Sequence, residues 1–326
     1  MSGIHRTKIE WADSVWNPVS GCLHGCDYCF AKRQVKRFQP KPSEWPEPNT
    51  VIEAKHDPRC FIEIRPTVLR DADGAYIRST PYPKGFSPTM HSYKLTYPNK
   101  AIRPRRIFVG SMCDLFGEWI PDEWLKAIFD ECAKAPQHVY MFLTKNPKRY
   151  EQLESKNLLP MWKNYFYGST ITTPDKLMFT SNFINTFLSI EPILSDFTPC
   201  SFDVIKWIIV GAMTGPKASK NKPKREWIEN IIEYCRDTKT PTFMKSSLTD
   251  VLGKSLIQEY PDTMMAHIAQ KLPPTDWKNS THDKVFVNSV RDAKECRQCK
   301  ANIQGKSAWR ISARYYICQS CYNGEN

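Results

Sequence analysis

The chain has 326 residues, 41% of them hydrophobic, which suits one large domain with a real core plus a small appendage. No apolar run approaches the length of a membrane span, and Met1-Ser2-Gly3-Ile4-His5-Arg6 lacks the apolar stretch of a signal peptide, so a cytoplasmic protein is expected rather than a membrane-spanning or secreted one. The formal net charge of +12 favours anionic partners, nucleic acid being the commonest large polyanion, but charge alone decides little.

In chain order, a cysteine-rich loop over residues 21–30 comes first. The bases after it, Lys32, Arg33, Lys36 and Arg37, have the spacing of a helix face. From about 39 to 104 the sequence fits a regular fold poorly: Pro40, Pro42, Pro46 and Pro48 break helices early in it, and Pro81, Pro83, Pro88, Pro98 and Pro104 late. An irregular flap is predicted there, with some strand near Phe61-Ile62-Glu63-Ile64, and His91 reads as a surface histidine on a loop. Then follow continuous apolar runs at 106–111, 139–144, 165–170, 186–191, 207–211 and 241–245. Continuous runs rather than alternating ones suit parallel strands covered on both faces. Helices are predicted between them, one from Pro121 with Trp124, Leu125, Ile128, Phe129 and Cys132 on one stripe, another from Pro223 with Trp227, Ile228, Ile231, Ile232 and Cys235. The predicted fold is an α/β barrel of TIM type, complete or partial, over residues 1–275 with the proline-rich insertion at about 39–104; residues 276–326 form a linker and a small C-terminal module.

Twelve cysteines without a leader favour metal ligation over disulfides. Cys60, Cys113, Cys132, Cys200 and Cys235 are scattered and read as ordinary buried thiols. The other seven fall into two groups. In Gly21-Cys22-Leu23-His24-Gly25-Cys26-Asp27-Tyr28-Cys29-Phe30 three cysteines are spaced by three residues and then two, so one short loop can wrap three thiolates around a cluster. A [4Fe-4S] cubane held by three thiolates keeps one iron open, and S-adenosylmethionine (SAM) is the cofactor best known for using such an iron. The loop resembles the cluster loop of the radical SAM superfamily, down to the aromatic at Tyr28. A structural Cys3His zinc site with His24, or a chance group of thiols, are the alternatives.

The strand ends carry the remaining candidates. In α/β barrels working residues gather at the C-terminal ends of the strands. Those ends read Ser111-Met112-Cys113-Asp114, Thr144-Lys145-Asn146, Gly168-Ser169-Thr170, Glu191-Pro192, Gly211-Ala212-Met213-Thr214-Gly215 and Lys245-Ser246-Ser247. Asp114, Lys145, Glu191 and Lys245 are expected to project from one rim above the cysteine loop. With Tyr28, Ser111, Thr144 and Ser169 they are the candidates for holding SAM's amino, carboxylate and ribose groups, Lys145 and Glu191 also serving the reaction. Lys217, Lys220, Lys222, Lys224 and Arg225 crowd one loop after a strand, a place to meet an anionic substrate.

Four blocks together resemble a phage-associated family of uncharacterised radical-SAM-like proteins. They are Ile9-Glu10-Trp11 through Ala31, Arg105-Arg106-Ile107-Phe108-Val109-Gly110-Ser111-Met112-Cys113-Asp114-Leu115-Phe116-Gly117, Leu143-Thr144-Lys145-Asn146-Pro147 and Leu188-Ser189-Ile190-Glu191-Pro192. The resemblance covers roughly residues 4 to 250. It implies a SAM-type barrel in bacteria or phage-infected host cells, fed by a reducing electron donor of flavodoxin or ferredoxin type, and no settled substrate. Met213 departs from the family pattern, standing in the Gly-Ala-x-Thr-Gly turn where an acidic residue is expected.

The second cysteine group is Cys296-Arg297-Gln298-Cys299 and Cys318-Gln319-Ser320-Cys321, two knuckles with eighteen residues between them. Four thiolates from two tight turns close a tetrahedron around zinc, so a zinc ribbon is predicted, its metal supplying much of the folding energy. Trp309, Arg310, Arg314, Tyr315 and Tyr316 mix bases and aromatics between the knuckles, which suits either nucleic acid or protein docking. The expected function is reductive cleavage of SAM to a 5′-deoxyadenosyl radical acting on a nucleic acid or nucleobase, in modification or repair. A zinc-dependent nucleic-acid-binding adaptor and a peptide-modifying radical SAM enzyme are the alternatives.

Overall fold

The computed structural model describes residues 5–101, 103–254 and 256–269, and three strands at 285–287, 308–312 and 315–318. Its centre is an eight-stranded sheet in which seven strands run parallel. In sheet order these are β1 (Ser14–Trp16), β2 (Arg106–Val109), β3 (Val139–Thr144), β4 (Tyr165–Ile171), β5 (Asn185–Ile190), β6 (Trp207–Val210) and β7 (Thr242–Met244). Chain order equals sheet order, and His5–Arg6 adds a short antiparallel edge beside β1. The sheet curls into a half-barrel, so the partial form of the expected TIM-type fold is the one observed.

Side chains alternate across a strand, and here both faces are apolar. On the convex face Ile107, Val109, Tyr140, Phe142, Tyr165 and Tyr167 pack against α2 (Asp122–Ala133) and α3 (Lys148–Ser155). Leu188, Ile190, Ile208, Val210 and Met244 pack against Ile228, Ile231 and Cys235 of α4 (Arg225–Asp237). The apolar stripes of α2 and α4 are thus core-facing, as their period implies. The concave face holds Val139, Met141, Phe166, Phe187, Trp207, Ile209 and Phe243, with Trp11 laid across them. Trp11 meets Phe108 of β2, Phe187 of β5 and Trp207 of β6 at ring distances of 4.7, 6.3 and 6.2 Å. One indole can touch strands that far apart in the sheet only because the sheet is curled.

The gap between β7 and β1 is bridged by two chain segments. Residues 257–259 continue the sheet beside β7, through Met244 N–H to Ile257 O (2.7 Å) and Glu259 N–H to Thr242 O (2.9 Å). Glu10 then accepts from the backbone and hydroxyl of Ser246 (2.8 and 2.9 Å), and Tyr260 lies 4.0 Å from the Arg106 guanidinium.

The proline-rich insertion is more regular than expected. With Val19–Ser20 from before it, it builds a four-stranded sheet in the order Val19–Ser20, Thr89–His91, Asp57–Glu63 and Val51–Ala54, and by itself a three-stranded one, Trp45–Pro46, Thr67–Arg70 and Tyr76–Thr80. Proline forbids helix interiors, yet it is tolerated on edge strands and in turns, and Pro46 sits on an edge. The C-terminal region contributes a three-stranded antiparallel sheet of Val285–Val287, Ala308–Ser312 and Tyr315–Cys318. Cys296, Cys299 and Cys321 lie outside the described residues, and of Cys318 only its place at a strand end is described. Among the described residues no helix is long and apolar enough to cross a membrane.

Candidate functional site

At the C-terminal ends of the strands the concave alternation changes character. Above Phe187, Trp207 and Phe243 the same face presents Glu191, Gly211 and Lys245, because Gly211 N–H to Ile190 O (3.1 Å) and Lys245 N–H to Val210 O (3.0 Å) carry the ladder one residue further. Glu191 and Lys245 form an ion pair, with side chains 26% and 18% exposed. Gly211 lies beneath it: a Cβ there would stand 3.2 Å from Glu191 Cγ and Cδ and 3.1 Å from Lys245 Cδ. The glycine leaves room for the pair.

The cysteine loop rises between Val19–Ser20 and α1 (Phe30–Phe38). Gly21 has φ +88°, and a Cβ on it would stand 2.2 Å from Ser87 O, so only glycine fits. Gly21 N–H donates to Met112 O (2.9 Å) and Cys22 N–H to Phe86 O (3.1 Å), fixing the base of the loop between β2's exit and the insertion. Cys22, Cys26 and Cys29 are all free and half-buried. Cys29 is the N-cap of α1, its Sγ accepting from Lys32 N–H at 3.3 Å. Burial pushes the Cys22 thiol up to about 12, against a backbone hydrogen bond at His24; the charges of Asp114, Cys26 and Cys29 push the same way.

Asp114 is the hook that holds the loop. Its carboxylate, 5% exposed, accepts from Thr144 Oγ1 (2.7 Å), Lys145 N–H (2.9 Å) and Phe116 N–H (3.0 Å), and pairs with His24 Nε2 (2.8 Å). Burial alone would raise its pKa, but the bonds from His24, Lys145 and Thr144 outweigh that and hold it below the usual carboxylate range. The His24 ring also stands edge-on to Trp119 at 4.9 Å. On the other side of the mouth Lys217 reaches Asp27 (3.1 Å), and Gly215 lies against the Arg33 guanidinium, where a Cβ on the glycine would stand 3.1 Å from Nη2. Lys145 Nζ lies 5.8 Å from the centre of the Tyr28 ring. The loop therefore spans from the exits of β2 and β3 to the exit of β6.

Several expectations change. Asp114 does not project from the rim but is buried beneath it. Ser169 is fully buried on the convex side, where Phe179 N–H donates to its Oγ (2.9 Å), and Thr144 is turned the same way toward Asp114. Ser111 stays near the loop with its hydroxyl donating to Asn17 Oδ1 (3.1 Å). Lys145, Glu191, Lys245 and Tyr28 are the predicted residues that reach the mouth. Cys60, Cys132 and Cys235 are buried, while Cys113, whose backbone pairs with Gly21 at the foot of the loop, and Cys200 are only half-buried.

His91 is not a surface residue. It is fully buried on a strand, with Nε2 2.8 Å from Ser20 Oγ and Nδ1 bonded to Glu63. Glu63 also accepts from Thr67 N–H (2.9 Å), Thr67 Oγ1 (2.7 Å) and Tyr93 OH (3.1 Å). Burial pushes the His91 imidazole down to about 4, against the pull of Glu63, so it is neutral. This network braces Ser20, two residues before Cys22, and spans positions too far apart in sequence for spacing to reveal.

Three thiolates on one short loop are a donor set that fits a cubane with one open iron. His24 meets Asp114 through Nε2 alone, and among the described residues no three Cys, His, Asp or Glu side chains converge as on one ion. A cubane takes each thiolate on a different iron, so its cysteines need not converge.

Over residues 6–251 the chain matches a family described as a protein of unknown function, DUF5131. No curated protein matches it. Among solved structures it is similar to a mutant spore photoproduct lyase with bound AdoMet and dinucleoside spore photoproduct, at 9% identity and a TM-score of 0.34, over 99% of this chain and 73% of that one.

Proposed function

This chain belongs to DUF5131, a family of unknown function, and from that premise we propose that it is a radical SAM enzyme acting on a nucleic acid or nucleobase. The observation that carries the reading is the three-cysteine loop, clamped across the C-terminal mouth of a parallel half-barrel beside a Glu–Lys pair. Cys22, Cys26 and Cys29 would hold the [4Fe-4S] cluster, which when bound supplies the electron for reductive cleavage of SAM. Tyr28 and Lys145 stand beside these cysteines. Glu191 and Lys245 offer one anion and one cation, the complement of the amino and carboxylate groups of an amino acid. The rings of Trp11, Phe187 and Trp207 below them keep water from the floor of the site. Lys217 stands at its edge beside Asp27, and Lys220, Lys222 and Lys224 follow it in the chain, a run of cations for a phosphate-bearing substrate. In the tail, Cys296, Cys299, Cys318 and Cys321 hold zinc in this reading.

The test is anaerobic reconstitution with iron and sulfide, then dithionite and SAM, with 5′-deoxyadenosine as the product measured. The expected result is about four irons in the cluster and 5′-deoxyadenosine that disappears in Cys22→Ala, Cys26→Ala and Cys29→Ala, while circular dichroism is unchanged. A colourless protein that takes up zinc alone at these cysteines overturns the reading.

A further inference from the structure

Helix α1 begins at a candidate cluster ligand and points away from the mouth, and its surface has an unusual composition. Its nine residues include four cations, Lys32, Arg33, Lys36 and Arg37, and no carboxylate. The carboxylates nearest its ends in sequence are already used, Asp27 by Lys217 (3.1 Å) and Glu44 by Arg78 (2.6 Å). Only Ala31 and Val35 face the core, whereas Phe30 and Phe38 are 63% and 43% exposed.

The surface continues onto the three-stranded sheet of the insertion. Arg78 donates to the carbonyls of Phe38 and Gln39 (3.0 Å each) and Thr80 Oγ1 to Phe38 O (2.7 Å), which fastens that sheet to the last turn of α1. Register places Trp45 opposite Arg70 and, past a bulge between Leu69 and Arg70, Arg70 opposite Tyr76, one row across three strands. Trp45 is 51% exposed and Tyr76 63%, and the Arg70 guanidinium is held by Gly74 O at 3.0 Å and paired with Glu47 at 3.7 Å. An exposed indole, guanidinium and phenol in one row bury little area and stabilise the fold little. They are flat faces of the kind on which unpaired bases stack.

We propose that α1 and the Trp45–Arg70–Tyr76 row form a track for single-stranded nucleic acid leading to the cysteine loop, an inference that rests on the nucleic-acid reading above. The cations of α1 take the phosphates, and the aromatic faces take the bases. Charge complementarity selects the polyanion. The exposed rings select a single strand, because a duplex hides its base faces.

The experiment is fluorescence anisotropy of a labelled oligothymidylate of roughly 15 nucleotides on the full-length protein, across a salt series. Trp45→Ala and Tyr76→Ala each weaken binding about tenfold or more with the salt slope unchanged, and Trp45→Phe restores most of it. Lys36→Gln combined with Arg37→Gln instead lowers the slope of log affinity against log salt by about 1.4. Wild-type affinity in both aromatic variants, or preference for a duplex of equal length, overturns the proposal. So does iron uptake and SAM cleavage in a protein that binds no strand even at low salt. Strand binding with these variant effects in a protein that takes up no iron upholds the track and overturns the radical SAM reading instead.

Discussion

Low on the concave face Phe187, Trp207 and Phe243 fill the half-barrel with rings; one or two pleat repeats higher the same strands carry Glu191, Gly211 and Lys245. The lower half is dry, apolar and cross-braced by Trp11. The upper end is half-exposed, charged and relieved of side chains at Gly211. The difference shows how one set of strands divides its labour: each strand stabilises the fold with its first residues and presents chemistry with its last. At β4 the two roles meet in Gly168, where a Cβ would stand 2.3 Å from the Phe187 ring.

That division can be broken from either end. Trp207→Ala strikes the lower half, removing a ring 5.6 Å from Phe187 and 5.5 Å from Tyr260 together with the indole bond to Glu259 O (2.9 Å). A loss of about 3–5 kcal/mol in urea unfolding is expected, with iron uptake at the loop retained while the protein stays folded. Asp114→Asn acts between the halves, since an amide oxygen cannot serve every donor that the carboxylate serves. The expected loss is about 2–3 kcal/mol, together with a lower iron-to-protein ratio after reconstitution, which a change confined to the core would not give.

A pH series sharpens the contrast further. The folded His91 titrates at about 4 against an ordinary 6.5, so between those values the unfolded chain binds more protons. Stability is therefore full above pH 6.5 and falls as the pH drops toward 4, by up to about 3 kcal/mol from this group. The thermal midpoint should follow that course, and His91→Gln should flatten part of it. At the upper end, Glu191→Gln is expected to cost about 1 kcal/mol or less of stability, because the pair is partly solvated. The same change should weaken SAM binding about tenfold in equilibrium dialysis. Equal effects on stability and on SAM binding would contradict the separation.

Much of the barrel is legible in the sequence because its strands are continuous apolar runs: Val139–Thr144 is predicted to the residue, and the others within two positions. β1 is missed, being three residues long and without such a run. The regularity of the insertion is hidden by its prolines, which exclude helix but say nothing against edge strands. At the site, the cysteine spacing and the strand-end rule locate Lys145, Glu191 and Lys245, since both depend on local sequence. Asp114, Ser169 and His91 are misjudged for a shared reason. Which face a strand-end residue takes, and which distant partner consumes it, depends on pairings such as Glu63 with His91 and Asp114 with His24 that join separate parts of the chain.

Helix α1 is tied at both ends, Cys29 capping its first turn and Arg78 and Thr80 its last. Two and a half turns of helix fixed in this way behave as a strut, too short to bend and too well capped to fray. Whatever pulls on one end is felt at the other, and thermodynamic linkage makes the traffic run in both directions. A ligand that tightens the outer sheet and a cluster that tightens the cysteine loop would then each raise the other's affinity by the same factor.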